Sequence, residues 1–420
     1  MDFIYDIAIR IYVLMIRLAA LFKPKAWLWV KGRKNIFDRI KKALADAEVD
    51  PHKQPIAWFH CASLGEFEQG RPVIEAYRHK FPDHKIFLTF FSPSGFEVRK
   101  AYLGADFIFY LPPDISRQVR KFLMMVNPRV AIFIKYEFWF NYLRLLRKSG
   151  VPTYVISANF RPDQHFFKWY GDWSRTALEH LTHLFVQNES SLELLSFIGV
   201  NNVTVSGDTR FDRVMEIAEN AEHFPLVEAF AANGHLLLAG STWPADEELI
   251  FSLMQKPGLN LKLIIAPHEI HPARINALMA RAGNRAFRYS NANETNLSGV
   301  SIMVIDSIGI LSALYRYATV AYIGGGFGVG IHNILEAASF GKPVIFGPMH
   351  SKFQEAREML ELGAAFSIKN EEELLSALEP LLNNTDIYAA AAQQAGDYVK
   401  SRAGATRIIM RRLPENISLK

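Results

Sequence analysis

The chain has 420 residues, half of them hydrophobic, enough for two ordinary domains and their cores. Its single cysteine, Cys61, excludes a disulfide framework and any cysteine-based zinc cluster, and fits a reducing compartment. A formal charge of +5 points to an acidic partner: nucleic acid, anionic lipid or a phosphorylated substrate.

The first stretch, IYDIAIRIYVLMIRLAALF, is apolar but carries Arg10 and Arg17 at heptad spacing, and Lys23, Lys25, Lys31, Arg33 and Lys34 follow closely. A spanning helix needs about 20 nearly uncharged residues, and a cleaved signal ends in a small-residue site. Residues 1–30 therefore read as a helix on or partly in a membrane, with Trp27 and Trp29 near the headgroups. A single N-terminal span and a buried helix remain the alternatives. In either membrane arrangement the positive flank stays on the cytoplasmic side. A nucleic-acid binder is disfavoured, because the basic residues gather beside an apolar segment instead of interleaving with exposed aromatics.

From Ile56 onward strands and helices alternate. IAWFHCAS, KIFLTFF, FIFYLP, RVAIFIKY, TYVISANF and HLFVQ read as strands, with helical runs such as GEFEQGRPVIEAYRHKF and FWFNYLRLLRKSG between them. VTVSGDTRFD closes this half. A second series runs through HLLLAGSTW, LKLIIAPHE, SIMVID, TVAYIGGG and PVIFGP, and the chain from Glu371 onward looks helical. The pattern predicts an α/β protein of two doubly wound parallel-sheet halves, with ligands bound outside the carboxyl ends of the strands in a cleft between them. The expected divisions are a membrane-associated helix and flank over 1–35, an N-terminal domain over 36–212 and a C-terminal domain over 213–420.

Polar residues recur where this architecture puts a site. Ser63, Gly65 and Glu66 follow the first strand, and a carboxylate there is a candidate general base or simply a charge favourable to the helix dipole. Ser92, Ser94 and Gly95, then Tyr136 and Glu137, then Asn159 and Arg161 follow successive strands, each readable as a turn or cap. In the second half Ser241 and Thr242 precede Trp243 and Pro244; they can bond a phosphate or cap a helix. His268, His271 and Arg274 follow LKLIIAP. Two histidines without an evident third ligand make a weak metal site, and Arg274 suits a phosphate better. Cys61 has no Cys–His pattern around it and reads as a small buried residue.

The stretch YIGGGFGVGIHNILEAASFGKPVIFGP reads as a βαβ unit with a glycine-rich turn at a strand end, a place where backbone N–H groups can approach an anion. Val329 and Ile331 break the dinucleotide pattern, and no P-loop ending follows, so neither nicotinamide nor ATP chemistry is supported. A tight turn with a satisfied polar helix start explains the same residues. No Asp-x-Asp occurs near a strand end, so a metal-held nucleotide is not indicated; Gly325, Gly326 and Arg274 are candidates to meet leaving-group charge instead.

Taken together, FHCASLGEFEQGRPVI, SPSG, KYEFWFN, SANFRPDQ, SGDTRFD, GSTWPADEE, HPAR and DSIGILSALYRYATVAYIGGGFGVGIHNILEAASFGKPVIFGP resemble the 3-deoxy-D-manno-octulosonic acid (Kdo) transferases, membrane-associated enzymes of lipopolysaccharide assembly in Gram-negative bacteria. The resemblance implies a GT-B fold and a metal-independent, inverting transfer from CMP-Kdo to the 6′-hydroxyl of the disaccharide lipid A precursor (lipid IVA). It implies no cofactor, an inner-membrane location on the cytoplasmic face, and contact with membrane lipids through the N-terminal helix. By the same resemblance Glu66 is the general base, while Asn333 and Glu336 contact the CMP ribose region. Arg210 stands where the family usually has lysine, and His271 and Arg274 match a basic donor-side motif.

Three segments depart from the family pattern, one of them the stretch around His268, where the spacing is longer than usual. Lys135-Tyr136-Glu137 keeps only the second of two usual glutamates, and GSTWPADEE replaces a usual histidine and glycine. The rival readings are another GT-B enzyme using a UDP-sugar, as transferase or epimerase, and a membrane-anchored scaffold without catalysis.

Overall fold

The structure is a computed structural model that describes residues 2–232, 234–256, 258–292, 299–328 and 330–413. Val329 of the glycine-rich turn and the last residues of the expected C-terminal domain lie outside that set. The chain forms two compact units, one made of residues up to Arg213 together with those from Ala403 onward, the other of Val214–Arg402.

The first unit is built on β1 (Ile56–Cys61), β2 (Lys85–Phe90), β3 (Phe107–Tyr110), β4 (Pro128–Ile134), β5 (Thr153–Ala158), β6 (His183–Val186) and β7 (Val203–Val205). All pair in parallel, in the order β3-β2-β1-β4-β5-β6-β7. Every residue of β1 is buried, and so are six of the seven in β4. Near-continuous apolar runs are what strands covered on both faces require. Trp58 lies at the centre, its ring 5.0–5.3 Å from those of Phe122, Phe133 and Tyr142. The strand order reverses between β1 and β4, which makes their carboxyl ends the switch point where such sheets take ligands.

The second unit repeats the plan with β8 (His235–Thr242), β9 (Leu261–Pro267), β10 (Ala286–Arg288), β11 (Ile302–Val304), β12 (Val320–Ile323), β13 (Val344–Phe346) and β14 (Ala365–Ser367). Their order is β10-β11-β9-β8-β12-β13-β14, again all parallel, with the switch between β8 and β12. Sequence reading missed β10 and β14. Both are three-residue edge strands with little burial, too short and too polar to show a period.

Three further expectations are corrected. Residues 1–30 form two helices, Asp2–Ala19 and Pro24–Arg33, because Pro24 lacks the N–H a continuous helix needs and sits instead at a first-turn position. The HNILEAASF helix shrinks to Leu335–Ala338. The C-terminal domain does not keep the last described helix: Ala405–Arg412 packs on the first unit, where Asp212 accepts from Gly404 N (2.5 Å) and Thr406 N (2.7 Å), and Lys80 Nζ donates to Met410 O (3.1 Å).

The N-terminal helix is tied down along one side only. Tyr5 donates its hydroxyl to the buried Asp114 (2.6 Å), while Asp6 accepts from Ser116 N (3.1 Å) and Asn141 Nδ2 (2.8 Å). Its other side leaves Phe3, Ile4, Ile11, Leu14 and Leu18 exposed. Among the described residues no helix is long and apolar enough to cross a membrane.

Candidate functional site

At the first switch point Glu66 occupies the opening turn of the helix Leu64–Lys80, directly after β1. Its Oε2 accepts from Ala62 N at 2.5 Å. Burial, and secondly the charge of Glu137, push its carboxyl up from 4.5 to about 7, against the pull of Ala62 N–H and Lys135. Such a carboxyl is poised for proton transfer near neutrality. Cys61, also buried, has its thiol pushed up by desolvation and is no nucleophile.

Behind Glu66 lies a chain of hydrogen bonds that sequence reading did not find. Glu137 Oε2 accepts from Trp139 Nε1 (2.6 Å) and lies 3.2 Å from His60 Nε2. The other nitrogen of that fully buried ring, Nδ1, is 2.9 Å from Thr89 Oγ1, which also accepts from Trp58 Nε1 (2.8 Å). Nε2 faces the Glu137 carboxylate and Nδ1 also faces Thr89 O (3.1 Å), so contacts at both nitrogens fix the ring's orientation. His60 was hidden because it sits in the middle of an apolar strand, where a lone histidine gives no periodic signal.

The other residues expected on this side have defined duties. Ser92 caps the helix Pro93–Arg99, accepting from Ser94 N (3.3 Å), and the two hydroxyls lie 2.9 Å apart. A Cβ at Gly95 would meet the Phe90 ring at 2.3 Å, whereas one at Gly65 would meet nothing within 4 Å. Ser63 holds the cap position before Glu66 but makes no capping bond with its side chain. Asn159 accepts from Asn188 Nδ2 (3.3 Å). Arg161 is exposed and, with Glu66 and Asp208, contributes to the field at Tyr136, whose hydroxyl is raised chiefly by burial. Lys135, Ser157 and Ser241 all hold left-handed backbone at strand ends, with φ of 69°, 54° and 53°. Strain of this kind in non-glycine residues gathers at functional sites.

Arg210, expected on the donor side, belongs to the first unit, where its Nε donates to Asp208 (2.8 Å). Asp208 also accepts from Gln69 Nε2 (3.2 Å).

In the second unit the glycine turn is held by the protein's own backbone. A Cβ on Gly324 would lie 2.3 Å from Ser241 O, and one on Gly326 would lie 2.6 Å from Gly347 N and Cα; Gly325 has φ +92°. Asp246 anchors the turn, accepting from Gly325 N (2.9 Å), Trp243 N (2.8 Å) and the Tyr322 hydroxyl (2.8 Å). Beside it Trp243, His268 and His332 stack, with centroids 4.9 and 4.4 Å apart. Trp243 Nε1 donates to His332 Nε2 (3.1 Å), which keeps that imidazole neutral; burial and His268 lower its proton affinity. The departure from the family pattern at Trp243 is thus accommodated by a ring stack.

Thr242 donates to Glu247 (3.0 Å), and Glu247 is ion-paired with Arg274. Arg274 is therefore partly committed to a protein carboxylate. His271 caps the helix Pro272–Ala282 through Nδ1. Asn333 Nδ2 donates to Glu336 Oε1 (3.1 Å), and Ser312 Oγ donates to Glu336 Oε2 (2.7 Å). Asn333 is exposed and presents its amide at the turn.

Residues 34–213 match the family model for 3-deoxy-D-manno-octulosonic-acid transferase (kdotransferase). A curated 3-deoxy-D-manno-octulosonic acid transferase of Aquifex aeolicus is 30% identical over 333 residues, covering 78% of this chain and 86% of the relative. The chain belongs to the Kdo transferase family. A Rickettsia felis member is 28% identical over 362 residues, covering 83% of this chain and 77% of its own. Family membership makes the protein a glycosyltransferase. A solved UDP-GlcNAc 2-epimerase from Neisseria meningitidis shares the fold, with TM-score 0.59 and 17% identity over 86% of this chain and all of that one. Two parallel-sheet domains of this kind constitute the GT-B fold.

Proposed function

We propose that this family member transfers Kdo from CMP-Kdo to the 6′-hydroxyl of lipid IVA, with inversion and without a metal, at the cytoplasmic face of the inner membrane. Glu66 is the general base. The observation that carries the reading is its carboxyl, raised to about 7 at the switch point of the first sheet. It takes the acceptor hydroxyl proton as that oxygen bonds to the anomeric carbon of Kdo, and the carbon–oxygen bond to CMP breaks with its electron pair going to the phosphate. Asn333 and Glu336 contact the ribose region of CMP. The one-sided docking of the N-terminal helix, with its exposed aliphatic face, supports contact with membrane lipids.

The test is product mass and anomeric configuration after incubating the purified protein in detergent with CMP-Kdo, lipid IVA and EDTA. A product heavier by one or more Kdo units, of inverted configuration, is expected from the wild type, and Glu66→Gln should lower the rate by about 10²–10⁴. No product beside an active control transferase, or near-normal turnover by the variant, refutes the donor–acceptor pair or the base respectively.

A further inference from the structure

Apart from the switch points, the first unit contains a groove of about 910 Å³ between the two N-terminal helices and the helix Ser116–Val126. Arg17, Lys31, Lys34, Arg117 and Lys121 line it, and no carboxylate does. Among the described residues none of these five forms an ion pair. Lys31 Nζ lies over the Trp27 ring (4.5 Å) and Lys121 Nζ over Phe37 (4.5 Å), so two of the ammonium groups rest on aromatic faces. The sixth cation, Arg33, forms the back wall. It donates to Leu111 O (2.8 Å) and Phe91 O (2.8 Å), and its guanidinium stacks 3.8 Å from Trp29.

Like charges brought together cost free energy unless an anion joins them, and five exposed cations, four on three helices and Lys34 in the turn after the second, make a concave anion receptor. Its rim decides the source of that anion. Arg17 lies on the helix that exposes Leu14 and Leu18, and Trp27 is itself half-exposed, so an apolar surface borders the basic one. Basic clusters beside an apolar anchor are the arrangement that reads anionic lipid headgroups.

We propose that this groove is a binding site for the phosphate of an anionic membrane phospholipid. The proposal rests on the membrane reading given above and goes beyond it, because it replaces general adsorption by a built pocket. It also assigns a role to Arg117 and Lys121, which lie about 90 residues beyond the apolar segment in sequence.

The test is flotation of the full-length protein with vesicles of pure phosphatidylcholine and of phosphatidylcholine with phosphatidylglycerol, at fixed ionic strength. The wild type should bind the anionic vesicles at least tenfold more tightly than the neutral ones. The double variant R117Q/K121Q should lose most of that difference while keeping its affinity for neutral vesicles and its unfolding temperature. A charge-matched control outside the groove, K41Q/K42Q, should lose no more than about twofold. Equal losses in the two double variants would reduce the effect to diffuse charge and overturn the groove. Equal binding of the wild type to both vesicles would overturn the groove and leave membrane contact standing, whereas binding to neither would overturn both. Saturable binding of inorganic phosphate without vesicles, abolished by R117Q/K121Q, would assign the groove to a free anion and overturn the lipid.

Discussion

Removing the charge of Glu137 tests how Glu66 is tuned. The rise of the Glu66 carboxyl from 4.5 to about 7 corresponds to about 3 kcal/mol. At pH 6 only about one tenth of such a carboxyl is ionised, so wild-type kcat/KM at that pH should be about one tenth of its plateau. Burial is the larger cause and survives the change Glu137→Gln; the like charge is the second cause and does not. The amide oxygen that this change introduces can still accept from Trp139 and His60, so the local geometry is kept. The acid limb should therefore move down on the order of one pH unit, raising relative activity at pH 6 about fivefold. Initial rates of Kdo transfer between pH 5 and 9, at constant ionic strength, measure this. An acid limb that stays in place, or moves up, refutes the argument that Glu137 tunes Glu66.

The same shift predicts a stability effect. A carboxyl raised in the folded state binds its proton more tightly there than in the unfolded chain, so stability falls as pH rises from about 4.5 to about 7. Glu66→Gln should raise the unfolding temperature at pH 8 relative to wild type, by at most the equivalent of about 3 kcal/mol, and change it little at pH 4; calorimetry at the two pH values checks the sign. Asp246→Asn leaves one oxygen to serve what two now serve, and should cost about 1.5–3 kcal/mol in denaturant unfolding. Gly326→Ala drives a Cβ into the Gly347 backbone and should destabilise by about 1–3 kcal/mol or more; an unchanged midpoint would contradict the packing described. Asn333→Ala should raise KM for the CMP-sugar with kcat nearly kept, and an unchanged KM would remove Asn333 from the donor site.

The alternation of apolar runs with helical spacing revealed both sheets because buried parallel strands announce themselves as continuous hydrophobic segments. Glu66 and Glu137 were visible for the same reason, as carboxylates stranded at the ends of such segments. What lay hidden were partners joined through space. Nothing near His60 in sequence announces Glu137, 77 positions on, and nothing near Trp243 announces His332. The glycine turn carries a second demand that the sequence does not display. Gly324 and Gly326 are required where backbone meets backbone, a demand set by β8 and by Gly347. The helix break at Pro24 was readable and was overridden by the apolar run around it.

The clasp by which Asp212 holds Gly404 and Thr406 brings the outgoing and returning crossings of the chain side by side. The second sheet is in effect an insertion, a cassette delimited by Arg213 and Ala403, within a host that flanks it on both sides. Grafting residues 214–402 from a relative would exchange one sheet whole while leaving every strand of the other on its own framework. Removing the helix Ala405–Arg412 would injure the first unit and not the sheet that precedes it in sequence, because that helix packs on the host.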